Sequence, residues 1–136
     1  MAVQALGELV KIYPENTRYV SEFARQKGQN AQLLCDLNKA KESIPLGEDA
    51  IKMLEEILKK EESALDALDR KSCGVLLAQL YGILGHSGEV SKNTKLAKSS
   101  FSRASEEWQK LKAAHGGDEV IEQGINWTKD RLAKIH

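Results

Sequence analysis

Residues 97–115 read AKSSFSRASEEWQKLKAAH, and their spacing decides the fold. Ala97, Phe101, Ala104, Trp108, Leu111 and His115 recur at intervals of three and four, the period of one face of an α-helix. A helix over about 91–114 follows. Gly116-Gly117 end it, and Asp118 is placed to cap another helix, which Ile121, Ile125, Leu132 and Ile135 carry to about Ile135. Upstream, Gly85-His86-Ser87-Gly88 reads as a turn. Before it, Cys73, Leu76, Leu77, Leu80, Tyr81 and Leu84 form one side of a helix over about 64–84.

The first half repeats the habit. Ile44, Gly47, Ile51, Leu54 and Leu58 stripe a helix within 39–61. Pro45 suits a first helical turn, so the regular part is expected to begin near Ser43. Glu48–Lys52, Glu55–Lys59 and Glu56–Lys60 have the i,i+4 order of an exposed helical face. Val20, Phe23, Ala24, Lys27, Ala31 and Leu34 place a helix from about Thr17, and Gly28 leaves its continuity open. Residues 2–13 are apolar nearly all round, which demands cover on every side. Tyr13-Pro14-Glu15-Asn16 stops them, with Asn16 or Thr17 as the next cap. Six helices and no alternating strand pattern predict an all-α fold.

Composition narrows the function classes. The 136 residues suit one domain spanning 1–136. Lys and Arg number 20, Asp and Glu 20, and a zero formal charge argues against a nucleic-acid binder living on phosphate neutralisation. No apolar run reaches the length of a membrane span. The first ten residues lack a basic region and carry Glu8, unlike a signal peptide. Cys35 and Cys73 are the only thiols; they form no CxxC motif, so no structural zinc site is expected. Two cysteines in a chain this size point to a reducing, cytoplasmic setting. Each reads as a small buried hydrophobe, with a disulfide between them left open.

The chain is self-similar at a spacing of 57: Gly28 aligns with Gly85, Ala40-Lys41 with Ala97-Lys98, Ser43-Ile44 with Ser100-Phe101, Leu54 with Leu111. Leu77-Ala78-x-x-Tyr81-x-x-x-Gly85, then Ala97-x-x-x-Phe101-x-x-Ala104, resembles the tetratricopeptide repeat (TPR) pattern. The stretch from Gly85 to Ala97 is seven residues longer than the family's, as is that from Gly28 to Ala40. Seven residues are close to two helical turns, so facing sides stay in register. Tyr13-Pro14-Glu15-Asn16 looks like the turn between such units. The tail from Trp108 looks like the closing segment of long-helix TPR arrays, often found at the C-terminal end of bacterial eukaryotic-like serine/threonine kinases. The resemblance implies stacked antiparallel hairpins in a short solenoid: a partial repeat at 1–13, repeats at 17–61 and 64–114, and a capping helix at 118–135.

No residues assemble into a nucleophile, base and orienting group, so the chain is read as non-enzymatic, with no cofactor. His86, His115 and His136 are scattered and suggest no metal. Glu61-Glu62 and Glu106-Glu107 are neighbours on a helix and cannot face one another as an acid–base couple. The resemblance implies a concave surface from the first helix of each hairpin. It would use Arg18, Glu22, Arg25 and Gln26, joined by Val75, Gln79 and Ile83, to hold a peptide or helix of a partner protein. The Lys and Asn set of the family's carboxylate clamp is not at these places. Two other functions fit the residues: a homodimer paired through the apolar N-terminal helix, and a small-molecule pocket near Trp108 and Trp127. Residues 41–62 carry seven acids and four bases, and 91–112 six bases and two acids, which reads as two solvated helix faces or as surfaces steering a charged partner.

Overall fold

The computed structural model describes residues 3–13, 16–59 and 67–135. The expectations placed on Pro14-Glu15, on Glu61-Glu62 and on His136 lie outside the described residues. Six helices carry the chain: α1 (Val3–Ile12), α2 (Thr17–Asp36), α3 (Ala40–Lys59), α4 (Ala67–Val90), α5 (Thr94–His115) and α6 (Glu119–Ala133). No strand occurs among the described residues.

The helix starts are set by short polar side chains. Asn16 Oδ1 accepts the Tyr19 N–H at 3.1 Å, Asn93 Oδ1 the Leu96 N–H at 3.1 Å, and Asp118 Oδ1 the Ile121 N–H at 2.9 Å. Each satisfies one donor that the first turn leaves without an intrahelical partner.

The turns that close the two hairpins, α2–α3 and α4–α5, share four backbone hydrogen bonds. Leu37, Asn38, Lys39 and Ser43 donate their N–H groups to Leu33, Cys35, Leu34 and Lys39; Ser91, Lys92, Asn93 and Ala97 donate theirs to Ser87, Glu89, Gly88 and Asn93. Asn38 and Lys92 both sit at φ 62°, the left-handed conformation that ends many helices. Every pair is 54 residues apart. Buried positions obey the same interval: Ala24, Gly28, Ala50 and Leu54 are answered by Ala78, Gly82, Ala104 and Trp108. The structural register is therefore 54, not the 57 of the sequence alignment. The difference is most of one helical turn, which keeps similar faces together and hides the slip.

Consecutive helices pack on one another, and α2 also meets α4, as α4 meets α6. The backbones of α1, α3 and α5 do not approach one another among the described residues. This leaves α2, α4 and α6 as the more closely packed layer. The main core lies between the hairpins around Val20, Leu54, Leu77, Leu80 and Leu84; a second cluster joins Ala78, Ala104, Trp108, Leu111 and Ile121. Glycine makes the close approaches within the first layer. A β-carbon on Gly28 would run into the Leu80 side chain from α4, and one on Gly82 would lie 3.1 Å from the Trp127 ring from α6.

Several expectations are corrected. Gly85-His86-Ser87-Gly88 is no turn: α4 runs through it to Val90. Its glycines serve contact instead. A β-carbon would stand 2.7 Å from the Phe101 ring at Gly85 and 2.6 Å from the Ala97 backbone nitrogen at Gly88. Helix α2 likewise continues through Gly28. Helix α3 begins at Ala40, ahead of the expected Ser43, and takes Pro45 inside. Pro45 and Lys41, whose carbonyl it leaves unbonded, are both exposed, so water can serve that carbonyl. His115 belongs to no buried stripe; it is exposed at the end of α5. Helix α1 is covered on one side only: Leu6 is buried and Val10 packs on the core, while Ala5, Glu8, Lys11 and Ile12 face solvent.

No disulfide links the two cysteines, both of which are buried. Cys35 instead meets two serines, one from each neighbouring helix. Its Sγ lies 3.3 Å from Ser43 Oγ and 3.0 Å from Ser87 Oγ, and the two hydroxyl oxygens lie 2.8 Å apart. The hydroxyls also reach the Ala40 and Ile83 carbonyls at 2.6 and 3.0 Å. The cluster is almost fully buried, so its polar atoms need these partners.

Candidate interaction groove

Three clefts lie along the layer of α2, α4 and α6. The first, about 390 Å³, is bounded by Arg18, Ser21 and Arg25 of α2 and by Ser72, Cys73 and Leu76 of α4. The second, about 360 Å³, shares Arg25, Ser72 and Leu76 with it and adds Lys71, Val75, Gln79, Asp118 and Val120. The third and largest, about 570 Å³, shares Gln79 and Val120 with the second and continues between α4 and α6 past Ala78, Gly82, Ile83 and His86 to Trp108, Trp127 and Arg131. Shared walls make the three one trough.

Five of the seven residues expected on this surface line it: Arg18, Arg25, Val75, Gln79 and Ile83. Glu22 stands behind Arg25, its Oε1 3.3 Å from Arg25 Nε. Gln26 is half-buried and lines none of the three clefts. The α6 wall was missing from the sequence-derived surface. Val120, Gln123, Trp127 and Arg131 come from the helix read as a cap, of which Trp127 alone was expected beside a pocket, the small-molecule one. The two tryptophans part company: Trp108 is buried, whereas Trp127 is 42% exposed. Trp127 meets Phe101 edge-on at 5.5 Å and carries the Arg131 guanidinium over its ring at 5.2 Å. Cation–π contact and the edge-on aromatic pair fix the indole while leaving one side of it in the cleft.

The trough's charges come in light pairs. Lys71 Nζ lies 2.7 Å from Asp118 Oδ2, and Arg131 Nη1 3.4 Å from Glu89 Oε1. The hydrogen bond from Lys71, helped by the Ile121 N–H, holds the Asp118 carboxyl below its usual range. His86, expected in a turn, sits in α4 with Nδ1 3.7 Å from Glu89 and no hydrogen bond to that nitrogen. Among the described residues no three His, Cys, Asp or Glu side chains gather as a metal site.

The uneven charge of the sequence falls on the other layer. The acidic stretch is largely α3 and the basic stretch α5, and Arg103 ties them. It lies 3.7 Å from Glu55, 2.9 Å from Glu106 and 3.5 Å from Glu107, with its guanidinium over Tyr81 at 5.3 Å. Burial pushes the Tyr81 hydroxyl above its usual pKa, while the hydrogen bond between Tyr81 and Arg103 holds the guanidinium's pKa up. No helix among the described residues is long and apolar enough to cross a membrane. No family model, no curated protein and no solved structure matches the chain.

Proposed function

We propose that this chain is a non-catalytic interaction module, a short TPR-like array of two hairpins with the half-hairpin α1 before them and α6 as cap. It receives a peptide or helix of a partner protein in the trough across α2, α4 and α6. The observation that carries this reading is the continuity of the three clefts along one layer, with an apolar floor of Val75, Leu76 and Ile83 and a rim of amides and guanidinium groups. The recurrence of turns and buried positions at 54 residues supports the array. So does α6, whose solvent side presents Glu119, Asn126 and Lys129, the polar closure that a stack of hairpins needs.

A random-peptide library selected on the immobilised chain tests it. Retained peptides lose binding when Gln79, exposed where two clefts meet, is replaced in Gln79→Trp, and keep it in Lys98→Glu on α5. Retention indifferent to Gln79→Trp overturns the reading.

A small-molecule site in the largest cleft is the second reading, favoured by the half-exposed Trp127 against a space of ligand size. Its measure is a shift of indole emission on adding candidate metabolites. Pairing of two copies through α1 draws on the exposed Ile12 and Tyr13, and light scattering decides it.

A further inference from the structure

We infer that the segment held in this trough is acidic and carries one bulky apolar side chain, which enters the cleft between α4 and α6. The inference rests on the groove reading above and adds the chemistry of the occupant. Four cations line the trough, Arg18, Arg25, Lys71 and Arg131, against a single acid, Asp118. That acid is already committed on both oxygens, to the Ile121 N–H at 2.9 Å and to Lys71 at 2.7 Å. Glu22 and Glu89 engage Arg25 and Arg131 from outside the lining. Such partly exposed pairs are weak, so a carboxylate from a ligand can join or replace them at little cost. Arg18, the fourth of these cations, is exposed. A positive lining selects a negative partner and steers its approach.

The apolar anchor follows from the cleft between α4 and α6. Val120 and Trp127 are two of the large hydrophobic side chains left exposed, and both stand in the same cleft. Trp127 itself rests on Gly82, and Ile83 and Ala78 of α4 line the same cleft beside it. An exposed apolar face beside a stacked guanidinium suits an aromatic or branched aliphatic side chain flanked by carboxylates. Nucleic acid also offers rings and negative charge, but a chain of zero formal charge lacks the cationic excess that phosphate binding draws on.

Selection of a random-peptide display library on the full chain, at low salt and again at high salt, tests this. The expected sequences are net negative with one bulky apolar residue, and their binding weakens as salt rises. Arg18→Glu with Arg25→Glu, both exposed and harmless to packing, lowers their affinity about tenfold or more. Trp127→Ser does the same, and Val120→Lys, at an exposed position, gives an independent check should loss of the indole disturb the fold. Enriched peptides that depend on Gln79 but are neutral or basic, or lack an apolar anchor, overturn the inference and leave the groove reading standing. Binding of single-stranded oligonucleotides in preference to peptides overturns it, and so does the absence of any peptide sensitive to Gln79→Trp, which removes the groove reading as well.

Discussion

Two joints hold the layer of α2, α4 and α6 together, and they differ in one respect. At the first, Gly28 of α2 receives Leu80 of α4, which has no exposed surface. At the second, the equivalent Gly82 of α4 receives Trp127 of α6, which is left half-exposed with the largest cleft beside it. The polar partners differ in step. Cys35 of α2 meets Ser87 of α4 in a buried cluster, whereas Glu89, 54 residues after Cys35, holds Arg131 of α6 as a partly exposed ion pair. The same device is sealed once and left ajar once, and the candidate site lies where it is ajar. A binding surface arises here by leaving a packing rule incomplete.

The largest test of that contrast is truncation of the two received side chains. Leu80→Ala should cost about 4 kcal/mol, since its cavity cannot collapse in a sealed core. Trp127→Ala, despite its larger side chain, should cost no more than about half as much, because part of its surface is already in water. Urea unfolding of both variants measures this, and equal losses would mean that the second joint is as tight as the first. Adding a methyl group probes the same places from the other side. Gly28→Ala should destabilise by about 1 kcal/mol, as overpacking against buried Leu80 outweighs the gain in helix propensity. Gly82→Ala should be neutral or slightly stabilising, because Trp127 can yield.

The polar partners give a smaller effect with a different fingerprint. Ser87→Ala should cost about 1 kcal/mol at any salt concentration. Glu89→Gln should cost less, about 0.5 kcal/mol, and the loss should vanish at high salt. Smallest is the response to acid at Asp118. Its carboxyl is depressed in the folded chain, so the contribution of its ionised form is complete above the unfolded value near 3.8 and disappears as pH falls through the folded value below it. NMR shifts of the Ile121 amide should report loosening of the α6 start only under those acid conditions, and the change should be absent in Asp118→Asn.

Helix existence was legible because Ala97, Phe101, Ala104, Trp108 and Leu111 are spaced by packing, and packing is what buries them. The caps at Asn16 and Asp118 were legible for the same local reason. What sequence could not separate is why a glycine is present. Gly85 and Gly88 read as a chain reversal, yet they are the places where α5 comes against α4. That distinction depends on Phe101 and Ala97, which stand more than one helical turn farther along the chain. The 57-residue alignment failed similarly, since identities such as Gly28 with Gly85 outvoted the turn geometry at Asn38 and Lys92. Arg18, Arg25, Val75, Gln79 and Ile83 were placed on one surface because exposure along a helix face is periodic, but the other α2 and α4 residues of the groove were not. The α6 wall was missing from the peptide surface because α6 was read as a cap and Trp127 was assigned to a separate small-molecule pocket. The Cys35–Ser43–Ser87 cluster drew no notice, as no local pattern marks a serine for burial.

Lys92 occupies the left-handed turn position that its counterpart Asn38 fills more comfortably. An L-residue with a long side chain is penalised there by about 1 kcal/mol, a strain that glycine escapes and asparagine softens. The second connection thus carries a correctable flaw, and the molecule sits below the thermal ceiling its own architecture permits.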